Sequence, residues 1–118
     1  MRTGIMLAAL LAAVLALPTM QARAADCSGL DAKISAAKTA ADHDTIAACY
    51  GDMAKDAKAK ADEHKNMAKA YSMSSVGNQA TKTHFHQHCE ALIRSYEAEA
   101  KEYDALAKAH RQMAKTAK

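Results

Sequence analysis

The sequence predicts an all-α fold: an antiparallel two-helix hairpin, coiled-coil-like, with a short helix before it. Three observations predict it. First, residues 61–69 (A-D-E-H-K-N-M-A-K) and 107–115 (A-K-A-H-R-Q-M-A-K) repeat one another, and nine of 21 positions are identical between 50–70 and 96–116. Like segments joined by a short loop make a helical hairpin. Second, residues recur at alternating spacings of three and four across both segments, the period of a left-handed helix pair. Third, the chain is Ala-rich, has no Trp, and holds its one Pro at position 18. That composition favours helix over sheet.

Residues 1–24 read as a cleaved signal peptide. Arg2 supplies the positive start, Ile5–Leu17 an apolar run, and Ala22-Arg23-Ala24 a small-x-small cleavage site. The apolar run is shorter than the roughly 20 residues a bilayer span needs. The expectation is a secreted, periplasmic protein that begins at Ala25, is one domain over 25–118, and has no membrane span. Of 16 basic and 13 acidic residues, only Arg2 and Arg23 lie in the leader, so residues 25–118 carry a charge of +1. Basic and acidic residues are interspersed with no Lys or Arg run, which excludes a nucleic-acid grip.

A first short helix is expected from about Ser28 to Lys38, capped by Asp26 or Ser28. Thr39 or Asp42 opens a long helix reaching about Met73. Ser74-Ser75-Val76-Gly77-Asn78 is the loop signal, placing the turn near 74–80. A second long helix starts between Asn78 and Thr83 and reaches about Thr116. On the first long helix one seam row is His43, Tyr50, Ala57, His64 and Tyr71; the other is Ile46, Met53, Lys60 and Met67. On the second the rows are Cys89, Tyr96, Tyr103 and His110, and Phe85, Leu92, Glu99, Leu106 and Met113. Ladders of Ala (47, 54, 61 and 68; 100, 107 and 114) flank them and suit close helix approach or a second, dimerising face. Lys60 and Glu99 are nearly opposite and are expected to form a seam ion pair that fixes register; the alternative has both snorkelling outward. With so few large apolar residues the core is thin, and self-association into a four-helix bundle is expected to complete it.

Three cysteines follow the leader, in a compartment that oxidises thiols. In the hairpin, Cys49 and Cys89 would stand about 25 Å apart at about 1.5 Å rise per residue, too far to bridge. Folding the short helix back on the long one brings Cys27 to Cys49. The expected disulfide is therefore Cys27–Cys49, with Cys89 unpaired.

His84-Phe85-His86-Gln87-His88-Cys89 is the densest set of soft donors. His84 and His88 are one helical turn apart and can close on one ion. They lie in the first turns of a helix, where the dipole favours neutral, ligating imidazole. With His64 and Met67 approaching from the facing helix, the candidate metal site is His64, Met67, His84, His88 and Cys89. Thioether and thiolate suit Cu(I), and imidazole with thiolate suits Zn(II) next. A second, weaker site is His43, His110 and Met113 at the other end. In general shape alone the chain resembles Cys-rich copper-storage bundles, but three cysteines are too few for that mechanism and no residues carry over.

No Gly-rich phosphate loop, G-x-S-x-G or H-E-x-x-H is present, so an enzyme is not expected. Two readings remain. One is a small metal-handling protein for copper or zinc. The other is a structural or interaction protein of the envelope, in which the same His and Met pack the seam and the partner is a second copy or an envelope protein.

Overall fold

The computed structural model describes residues 25–75 and 77–117, so the expected leader over 1–24 lies outside the described residues. Three helices follow in order: α1 (Leu30–Ala36), α2 (Ala40–Met73) and α3 (Gln79–Thr116). Helices α2 and α3 pack along their length as the hairpin, and α1 packs on α2.

Each boundary has a local cause. Gly29 at φ 60° turns the chain into α1, its carbonyl accepting from Lys33 N–H at 3.0 Å; left-handed backbone there suits a residue without Cβ. Helix α2 opens on a reciprocal cap. Thr39 Oγ1 accepts from Asp42 N–H at 3.2 Å, and Asp42 Oδ2 accepts from Thr39 N–H at 2.9 Å. Gly77, at φ 79°, turns the chain back. Asn78 then caps α3, its Oδ1 accepting from Thr81 N–H at 3.0 Å.

Cys27 and Cys49 are disulfide-bonded, as the geometry of a folded-back α1 requires. The bridge anchors a seven-residue helix, too short to persist alone. Beside it, Ile46 and Cys49 are the largest fully enclosed side chains.

The seam differs from expectation in one row. Its first row stands: His43 meets His110, Tyr50 stacks on Tyr103 with centroids 6.1 Å apart, and His64 stacks on Tyr96 at 5.5 Å. Its second row is the Ala ladder. Ala47, Ala54, Ala61 and Ala68, with Ala57 from the first row, are buried on α2; Ile93, Ala100 and Ala107 are buried on α3. Of the expected second row, Ile46 is buried and Met53 half-buried, while Met67, Phe85, Leu92, Leu106 and Met113 are left at the side, between 37% and 46% exposed. The reason is steric. Ala allows the helix axes to come near the short end of the roughly 8–10 Å range, where rings from one helix lie over methyls and rings of the other. Centring the Met/Leu row would force the helices apart and break those stacks.

That one-row rotation gives the hairpin two unlike sides. On one side Lys58 bonds Asp104 at 2.7 Å and Lys65 bonds Glu97 at 2.9 Å across the helices. Each such exposed pair contributes only about 0–1 kcal/mol, but together they mark a charged, solvated side. The Met/Leu/Phe row lies on the other. Lys60 and Glu99 belong to this second side, not to the seam. Lys60 bonds Asp56 at 3.0 Å and lies over the Tyr96 ring, while Glu99 accepts from Tyr103 Oη at 2.9 Å. The expected direct pair is replaced by these partners because both positions are open to water, where Lys and Glu satisfy themselves locally.

Two outcomes follow. Ala54→Leu, at a fully buried position, should cost about 1–3 kcal/mol in urea unfolding through overpacking, whereas Ala59→Leu on the exposed side should be near neutral. Asp42 is held at about 2 by the Lys38 and Thr39 amides and the Thr39 hydroxyl, against an ordinary 3.8. A carboxylate depressed in the fold stabilises fully above 3.8 and loses that contribution as pH falls through about 2. Asp42→Asn should therefore flatten the acid limb of the thermal-stability curve below pH about 4 and lower stability at neutral pH.

Candidate functional site

Four of the six histidines form two close pairs. On the first turns of α3, His84 and His88 project from the same face one turn apart. Their Nε2 atoms are 3.1 Å apart and their rings stand edge to face at 86°. Both are exposed. At that separation either one nitrogen donates its proton to the other, or both lone pairs address one cation. The helix spacing makes the two side chains neighbours, and their mutual contact sets the nitrogen distance.

At the opposite end the second pair spans the two helices. His43 Nδ1 and His110 Nδ1 are 3.1 Å apart, and Tyr50 stacks on the far side of His110. His110 is buried. Burial, and after it the neighbouring His43, pull the His110 imidazole below its usual range, so it stands neutral, the form that ligates a metal or accepts a proton. Met113, one turn on from His110, is 46% exposed.

The expected loop-end set divides. Among the described residues no three His, Cys, Asp or Glu side chains converge on one point. His84 and His88 come together at the surface. Cys89, one residue on, faces inward and is a buried free thiol. His64 lies flat against Tyr96, and its Nδ1 is buried without a hydrogen-bond partner. Met67 is 37% exposed on the apolar side. Successive residues of a helix point about 100° apart, so His88 and Cys89 cannot both face His64.

Two features escaped the sequence. His86, left out of the expected metal set, ties the helices below the loop: its Nδ1 lies 3.3 Å from Ser72 Oγ and 3.4 Å from the Ala68 carbonyl. Tyr96 is the ring against which His64 packs. The seam rows held His64 and Tyr96 but not His86, and only the facing register assigns the partners of each.

A comparison with protein-family models, curated proteins and solved structures finds no match to this chain.

The thiol inventory is directly testable. Unreduced, denatured protein should take up one alkyl group by intact mass and three after reduction. In the native state that one uptake should be slow, because Cys89 is 5% exposed. Two or three uptakes without reductant would refute the Cys27–Cys49 bridge.

Proposed function

We propose that this is a small non-enzymatic protein that binds a transition-metal ion, zinc or copper, through paired imidazoles, with His84 and His88 as the principal site. One observation carries the reading: two exposed Nε2 atoms 3.1 Å apart on residues one helical turn apart. Two imidazoles one turn apart on a helix can close on one ion. The donor set narrows the ion. With Cys89 and Met67 turned elsewhere, the site is imidazole-only, which suits Zn(II), or copper, better than a thiolate-selected ion. His43 and His110, with Met113 nearby, form the second candidate site, with a narrower entrance because His110 is buried. The expected leader and the disulfide both support placement in an oxidising, secreted compartment.

Titration of metal-free protein with Zn(II), and with Cu(I) held against a competing chelator, tests this. One ion per hairpin is expected at the principal site. His84→Ala and His88→Ala should each weaken it by roughly tenfold or more, and His43→Ala should leave it unchanged. Equal binding by wild type and both variants refutes the site.

A second reading, an interaction protein that self-associates, is favoured by a different observation. The hairpin leaves five large apolar side chains, Met67, Phe85, Leu92, Leu106 and Met113, between 37% and 46% exposed.

A further inference from the structure

We propose that a second copy of this chain docks on the apolar side of the hairpin, with the two-fold axis running along the bundle and Lys60 set against the partner's Glu99. The inference rests on the self-association reading and supplies its surface, partner and register.

The surface comes from helix geometry. Met53, Lys60 and Met67 lie on α2 in the row just outside its His/Tyr row, and Phe85, Leu92, Glu99, Leu106 and Met113 hold the equivalent row on α3. In an antiparallel pair, equivalent flanking rows fall on the same side. Contacts between the helices agree: one groove is lined by Met53, Asp56, Ala57 and Lys60 from α2 and by Glu99 and Tyr103 from α3, and Tyr71 stacks on Phe85 at 4.9 Å. The cross-helix pairs Lys58–Asp104 and Lys65–Glu97 occupy the opposite side. Single exposed apolar residues are ordinary; five in heptad register on one side are a surface.

Its size fits a stable partner. From Phe85 to Met113 the stripe is about 42 Å long at 1.5 Å per residue, and two helices make it about 20 Å wide. The resulting area of roughly 800 Å² is what each member contributes to a standard interface.

The charges select a second copy. Lys60 and Glu99 are the only charged members of the two rows, and they sit at the same level of the hairpin. A two-fold axis along the helices lays α2 over the partner's α3. Each Lys60 then meets the partner's Glu99, and each Glu99 the partner's Lys60. Every neighbouring helix pair is antiparallel, as in an up-down four-helix bundle with opposed dipoles. An axis crossing the helices at this level would instead place like charges together.

Sedimentation equilibrium on the full chain tests the surface and the register together. Wild type should be a dimer that dissociates on dilution. Lys60→Glu and Glu99→Lys, each as helical as wild type by circular dichroism, should each be monomeric where wild type is dimeric. An equimolar mixture of the two should dimerise again, because in the mixed dimer both facing pairs are opposite in charge. A pair confined within one hairpin cannot give that recovery. Leu92→Gln, exposed in the hairpin, should weaken the dimer by roughly tenfold or more with helicity unchanged. A wild type that is monomeric at every concentration overturns self-association itself. A wild-type dimer that tolerates all three substitutions overturns this surface alone, and failure of the two charge variants to recover on mixing overturns the register.

Discussion

Close approach of α2 and α3 over alanine is the constraint on which the structure depends. Ala54, Ala61, Ala100 and Ala107 are at most 2% exposed, so the helices meet at backbone-near distance and there is no room for a conventional layer of leucines. The large residues of the seam are instead His and Tyr. Their flat rings stack on one another, as Tyr50 does on both Tyr103 and His110. Rings of this kind bring nitrogens and hydroxyls into a partly buried seam, where each needs a partner. His43 and His110 find one another; His64 Nδ1 finds none.

The same close approach decides what stays outside. Once the seam is filled by one aromatic row and one alanine row, the Met/Leu/Phe row has no place in it and lies along one side. The charged row falls on the other side, latched by Lys58–Asp104 and Lys65–Glu97. A hairpin with one apolar and one charged side buries Ile46 and Ile93 but leaves Met67, Leu92, Leu106, Phe85 and Met113 at its side. Its core, in which Ile46 and Cys49 are the largest fully enclosed side chains, is correspondingly small, and the Cys27–Cys49 bridge adds the staple that such a chain needs. The imidazole pair and the apolar side adjoin at Phe85, whose ring centroid lies 6.3 Å from that of His84.

Much was legible in the residues. The repeat and the loop signal at 74–78 gave the hairpin, Thr39 opened α2, and reach along a helix excluded Cys49–Cys89 and left Cys27–Cys49. The His84–His88 spacing implied convergence, because i and i+4 on one helix are neighbours whatever surrounds them. The five-residue metal set was not legible. It required His64, Met67 and Cys89 to face a common point, and angular placement within each helix depends on which row the partner helix occupies.

Local spacing therefore determined the helices, their order, the disulfide and the surface imidazole pair. Each follows from rise, rotation and covalent reach within a few turns, whereas the expected Asp26 or Ser28 cap of α1 gives way to Gly29 in left-handed backbone. Tertiary structure alone decided which two of three candidate rows form the seam. Heptad periodicity reports that rows exist but not which of them a neighbouring helix prefers. That choice turns on how closely the backbones approach, a balance between ring stacking over alanine and burial of Met and Leu that arises only when both helices are present. It rotates each helix by one row, which puts Lys60 and Glu99 on the open side rather than in the seam, divides the donors of the loop end, and leaves the Met/Leu/Phe row exposed.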